Sequence, residues 1–294
     1  MKTNKNSLQK FRIPTESKIW DLFFNNKFYK EYAAEIHNYY YNLSFEEKYN
    51  ELKTTFREIT GKTKETWIIR NLYDQFGLEH QIFIFEGDLY PGLTTTACCH
   101  FDNASIYIIS KPITKLCFER ELIPIFAHSI GHIILGPPIA VPDQYLLKIL
   151  NVERFAERTE EIKRLLILST LLRHIAEYNA DRVTVLATNS FELPVSALLK
   201  LHRLSYRYKF KEPDIVNLIR NQCAEDEITI PGTFEDTYPI TSDRILAMFL
   251  FSQEQGFLEK SYSHKSIKPK INLDELLNHE KIVEEYDKLN PKGC

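Results

Sequence analysis

Two histidines, His128 and His132, stand four residues apart in the apolar run Ile123-Pro124-Ile125-Phe126-Ala127-His128-Ser129-Ile130-Gly131-His132-Ile133-Ile134-Leu135. If the run is helical, that spacing puts both imidazoles on one face, where they can converge on a single zinc ion. Hydrolytic zinc sites of this kind carry a glutamate directly after the first histidine, where it works as general base. Here the position is Ser129. A serine hydroxyl is far too weak a base near neutral pH, and its side chain is shorter than that of glutamate. Spacing alone fits a metal pair or a pair of core histidines about equally. Gly131, which permits close packing, and the apolar flanks, which keep a site dry, favour the metal.

A third ligand has to come from elsewhere in the chain. The candidate is Glu177 in Arg173-His174-Ile175-Ala176-Glu177-Tyr178-Asn179-Ala180-Asp181-Arg182. Glu177 and Asp181 are again four apart, so one helix face offers a carboxylate to the metal and a second behind it. Asp181 can accept the spare N–H of a ligand histidine and fix its tautomer. Taken alone, the same pattern also describes an exposed helix with charges at i and i+4.

The order of these segments resembles the HtpX-like and CAAX-prenyl-protease-like zinc metallopeptidases, a gluzincin family. There His-Glu-Leu-Gly-His is followed by a Glu-x-Glu-Ala-Asp-Arg helix, matched here by Glu177-Tyr178-Asn179-Ala180-Asp181-Arg182. Residues 102–110 resemble the family's edge strand beside the active-site helix. Thr237-Tyr238-Pro239-Ile240-Thr241-Ser242-Asp243-Arg244-Ile245 is similar to its His-Pro-x-x-x-x-Arg-Ile segment. The likeness spans residues 77–255. It implies zinc held by His128, His132 and Glu177, with Asp181 and Arg244 behind the ligands. It places Ser129 where the family has its general base and Tyr238 where a histidine stabilises the oxyanion, a hydrogen bond tyrosine can also donate.

Three functional readings follow. The first is a zinc metallopeptidase-family protein, weakly active or inactive because Ser129 replaces the base. The second is a pseudoprotease that binds a peptide or a partner protein. The third is an active zinc endopeptidase, either with another base or with Ser129 as an introduced substitution.

The elements that must position these residues can be read from periodicity. Residues 18–42 have mostly helical spacing, and Ser44 with Glu47 forms a capping-box signature for a helix running to about residue 60. Residues 66–77 form a second helix, closed by Gly77. Residues 81–86 and 105–110 read as strands, with a third within 94–100. The histidine helix is expected to begin near Ile123, with Pro124 in its first turn, and to end at Gly136-Pro137-Pro138. Helices are also expected at 143–150, 156–187, after Pro194, after Pro213, at 242–255 and at 273–289. The fold expected is α+β: a zincin-like core of small sheet plus active-site helix at 77–259, a helical N-terminal region at 1–76 and a tail at 260–294.

Composition limits the partners. With 294 residues, 44% apolar and 26% charged, the chain suits a globular protein with a substantial core. A net charge of -3 gives no reason to expect a nucleic-acid surface. Five cysteines (Cys98, Cys99, Cys117, Cys223 and Cys294) without regular spacing read as reduced thiols. Cys98-Cys99-His100 is a weak metal motif, since neighbouring strand residues point to opposite faces. No secretory signal and no membrane span is expected, so a soluble cytoplasmic location is the expectation.

Overall fold

The computed structural model describes residues 8–36, 44–87, 97–101, 104–111, 113, 117–135, 160–203 and 241–258. The expected helices at 143–150, after Pro213 and at 273–289, and Tyr238, lie outside the described residues.

The chain is mixed α+β and mostly helical. The helices are α1 (Glu16–Asn25), α2 (Lys27–Glu31), α3 (Phe45–Thr55), α4 (Lys64–Phe76), α5 (Glu119–Leu135), α6 (Glu160–Thr188), α7 (Glu192–Arg203) and α8 (Thr241–Gln255). The strands are β1 (Arg57–Glu58), β2 (Gln81–Gly87), β3 (Ala97–Phe101) and β4 (Ala104–Ser110). They form one sheet of order β1-β2-β4-β3, in which β2 and β4 run parallel and the two outer pairs antiparallel.

The expected edge strand, described over Ala104–Ser110 as β4, is therefore not at an edge: β4 is paired on both sides, and among the described strands β3 and β1 are the outer ones. All seven residues of β4 are buried, which accounts for its unbroken apolar run Ile106-Tyr107-Ile108-Ile109. The strand period of two sorts these side chains. Phe85, Ile106 and Ile108 meet Leu52, with Phe45, Tyr49 and Phe56 packed alongside, so α3 covers this face. Ile84, Tyr107 and Ile109 face the other way and join Ile69, Leu72 and Phe76 of α4 and Leu122, Phe126 and Ile130 of α5. The Tyr73 and Tyr107 hydroxyls pair at 2.9 Å inside this layer, so burying them leaves no orphaned hydroxyl.

Local signals account for most boundaries. Ser44 and Glu47 form the expected capping box, and Gly77 closes α4 in the left-handed region at φ 67°. α3, however, ends at Thr55 instead of near residue 60. The Thr54 and Thr55 hydroxyls turn back onto the Glu51 carbonyl, and Arg57 and Glu58 pair with Glu86 and Phe85 as β1. A sheet edge outcompetes the last helical turn there.

α5 starts at Glu119, four residues earlier than expected, which leaves Pro124 inside the helix. The start is fixed by Glu121, whose carboxylate accepts the Phe118 N–H at 2.8 Å and caps the helix. The same carboxylate takes Lys200 Nζ at 2.6 Å and Ser196 Oγ at 3.2 Å from α7. Capping together with a buried ion pair offsets the hydrogen bond that Pro124 removes. No helix among the described residues is long and apolar enough to cross a membrane.

Candidate metal centre

The site lies where α5 crosses α6. Gly131 faces Ala180: a Cβ on Gly131 would sit 2.6 Å from the Ala180 Cα and 2.9 Å from its carbonyl oxygen. Glycine is thus required by the approach of the two helices. On α5, His128 and His132 flank Gly131, and on α6, Glu177 and Asp181 flank Ala180. Spacings of three and four on each helix place all of them at the crossing.

His128 Nε2 and His132 Nε2 lie 3.2 Å apart, with the rings edge to face. Glu177 Oε2 is 3.2 Å from the first and Oε1 is 3.3 Å from the second. These three residues form the group able to hold a metal ion among the described residues. A tetrahedral zinc with bonds of about 2.0–2.1 Å separates its ligand atoms by about 3.3 Å. The two histidines meet different oxygens of Glu177, and one atom from each residue brings the three within 4.8 Å of one another, close enough for a small adjustment to close them on such an ion. Glu177 is buried, while the His132 side chain is 34% exposed, which leaves the centre open on one side.

Behind the ligands sits Asp181, whose Oδ1 is 3.0 Å from His128 Nδ1. Arg244 of α8 grips Asp181 through two bonds, Nε to Oδ2 at 2.8 Å and Nη2 to Oδ1 at 2.7 Å. Its Nη1 reaches Glu177 Oε2 at 3.3 Å. The fork holds both carboxylates at once, which a lysine could not do with the same geometry. Asp181 in turn fixes His128 with Nε2 directed at the shared point.

These contacts set the charges. Burial disfavours ionised Glu177, but His132, Arg244 and His128 outweigh it and hold the carboxyl well below its usual range. For Asp181, burial is likewise overcome by the Arg244 guanidinium and by hydrogen bonds from Arg244 and His128. Burial also opposes protonation of His128, yet Glu177 and the hydrogen bond to Asp181 raise it to about 8. The two carboxylates are anionic near neutral pH, as ligands and their supports must be.

The pH dependence of the metal-free protein follows. His128 has a folded value of about 8 against 6.5 for the free side chain. Its proton therefore stabilises the fold fully below pH 6.5, and that contribution disappears as pH rises through 8. The amount is on the order of 2 kcal/mol. The chelator-treated protein is expected to melt about 4 °C lower at pH 8.5 than at pH 6 relative to His128→Gln, and an unchanged difference between the two proteins would refute it. Metal and proton compete for the same ring nitrogen of His128, so affinity rises about tenfold per pH unit up to pH 8.

Ser129 is 2% exposed and lies on the ligand helix. Glu121, the acidic residue two turns before His128, is committed to Phe118, Lys200 and Ser196 and is not available as a base. Sequence reasoning did not identify this network, since Glu121 and Lys200 are 79 residues apart. Asn179, at the second acidic position of the family motif, proves to be an anchor: it accepts from Ile13 N at 3.1 Å and donates to Glu16 at 2.9 Å. Cys117 is a buried thiol pushed up to about 11, by burial first and then by Glu121. Cys98, Cys99 and His100 lie on β3, opposite Tyr107, Ile106 and Ser105 of β4. Comparison of the chain with protein-family models, with curated proteins and with solved structures finds no match.

Proposed function

We propose that the chain is a zinc-binding protein of the metallopeptidase type whose site has lost its general base. The carrying observation is the convergence of His128, His132 and Glu177 at 3.2–3.3 Å, with a buried serine at the position between the histidines. Two imidazoles and one carboxylate are a donor set suited to zinc and poorly suited to magnesium or calcium, which prefer oxygen cages. When bound, zinc supplies Lewis-acid polarisation of a carbonyl and lowers the pKa of a coordinated water to about 7.

The chain's own residues do the rest. Glu177, held anionic by Arg244 and the histidines, offers charge to the metal. Asp181 keeps His128 in its ligating tautomer. Ser129 cannot take a proton from an attacking water near neutral pH. General-base assistance contributes roughly 10²–10⁴-fold in rate, so native turnover falls by about that factor. This favours recognition of a peptide or protein partner over its cleavage.

The test pairs metal analysis of the purified protein with a peptidase assay on wild type and Ser129→Glu. One zinc per chain with no chelator-sensitive proteolysis by wild type is the expected result. Recovery of cleavage by Ser129→Glu would identify a substrate cleft that lacks only its base. Absence of zinc would defeat the metal reading, and brisk chelator-sensitive cleavage by wild type would show that another group serves as base.

A further inference from the structure

We propose that Gln9, Glu16 and Asn179 are positioning residues for the metal centre. An N-terminal strap, residues 8–20, fixes the separation of α5 and α6 beside His132, and metal affinity depends on it. The inference rests on reading His128, His132 and Glu177 as ligands.

The strap touches both ligand-bearing helices. The last described turn of α5 runs to Leu135, three residues after His132. Gln9 Nε2 donates to the Ile134 carbonyl at 3.1 Å, and Asn179 Nδ2 approaches that of Leu135 at 3.5 Å. On α6, Asn179 Oδ1 accepts from Ile13 N at 3.1 Å, and Arg182 Nη1 donates to the Phe11 carbonyl at 2.7 Å. Leu8 belongs to the same core cluster as Ile134, and Ile13 and Ile19 to the one that holds Leu171 and Ile175. Asn179 is fully buried, and it stands two residues from both Glu177 and Asp181. A slide or rotation of α6 that breaks its bonds moves the Glu177 carboxylate as well. Metal bonds tolerate displacements of only about 0.2 Å.

Glu16 is the hub. It is 4% exposed, and every partner it has here is a donor. Arg12 Nη1 and Trp20 Nε1, the latter at 3.3 Å, meet Oε1, and Asn179 Nδ2 meets Oε2 at 2.9 Å. Only a carboxylate accepts from all three. In Glu16→Gln the amide oxygen can keep Arg12 and Trp20, but its NH₂ then faces the NH₂ of Asn179. Adding Asn179→Asp turns that donor into an acceptor and restores the bond to residue 16, and the other oxygen still accepts from Ile13, although the long 3.5 Å approach to the Leu135 carbonyl is given up.

The experiment titrates metal-free protein with Co²⁺ alone, following its ligand-field absorption against a competing chelator, with circular dichroism confirming that each variant is folded. Glu16→Gln is expected to weaken Co²⁺ binding about tenfold or more, as disturbed supporting partners of metal ligands do. The pair Glu16→Gln/Asn179→Asp is expected to return to within about threefold of wild type. Gln9→Ala, which removes the bond to the Ile134 carbonyl and the one Gln9 Oε1 accepts from Arg12 Nε, is expected to cost about fivefold. A merely structural role would lower the melting temperature and leave the affinity of the folded molecules alone. Unchanged affinity in Glu16→Gln and Gln9→Ala overturns the proposal. If Glu16→Gln fails to fold, Gln9→Ala decides by itself. A wild type that binds no Co²⁺ defeats the metal reading, and this inference with it.

Discussion

His132→Ala is expected to lose zinc by at least about a hundredfold in affinity, and Glu177→Gln to behave alike. Removing a partner behind a ligand already costs about 10–100-fold, and these substitutions remove the ligands themselves. In wild type one donor atom from each of the three residues already lies within 4.8 Å of the others before any ion arrives, so little is spent on reorganisation. Stabilisation by bound metal follows mass action. At a free zinc concentration one hundred times the dissociation constant it amounts to about 2.7 kcal/mol, or about 5 °C in melting temperature for a chain of this size. His132→Ala should forfeit that increment while the metal-free proteins melt within a few degrees of each other, because His132 is partly exposed. Inductively coupled plasma metal analysis and thermal melts with and without zinc read both quantities. Equal zinc content in wild type and His132→Ala would remove the basis for the metal reading.

The group of His128, His132 and Glu177 that could hold a metal ion was legible in the sequence because each half of it is local. Helical spacing of four pairs His128 with His132 and Glu177 with Asp181, and Gly131 marks the close approach. The strands were legible for the same reason: Ile82, Phe83, Ile84 and Phe85 are branched or aromatic, between a polar stretch and Gly87. What stayed hidden depends on distant partners. The end of α3 is decided by the pairing of Arg57 with Glu86, and the start of α5 by Glu121, which also binds Lys200 of a later helix. β4 reads as an apolar run whether it lies inside the sheet or at its edge, so only the pairing with β3 could place it. Nothing in the local sequence marks Asn179. Its role becomes visible only when residues 13 and 16 come to rest against it.

Gly131→Ala is expected to lower stability by about 1–2 kcal/mol and zinc affinity by at least about tenfold. Two effects of opposite sign compete. Alanine in a helix interior is favoured over glycine by about 1 kcal/mol. Against this, the new Cβ would lie 2.6 Å from the Ala180 Cα and 2.9 Å from its carbonyl oxygen, where ordinary contact begins at 3.4 Å. Both obstacles are backbone atoms and cannot rotate away, so α5 and α6 must part by roughly 1 Å, and overpacking of this kind costs about 1–3 kcal/mol or somewhat more. The affinity loss follows from the same displacement, because Glu177 and Asp181 flank Ala180 and would move away from His128 and His132. Ala180→Gly should not rescue the variant, since it removes only the third contact, the Ala180 Cβ at 3.1 Å. Chemical denaturation gives the stability and chelator competition the affinity. A Gly131→Ala protein as stable as wild type and holding zinc as tightly would mean that the two helices do not meet at this distance.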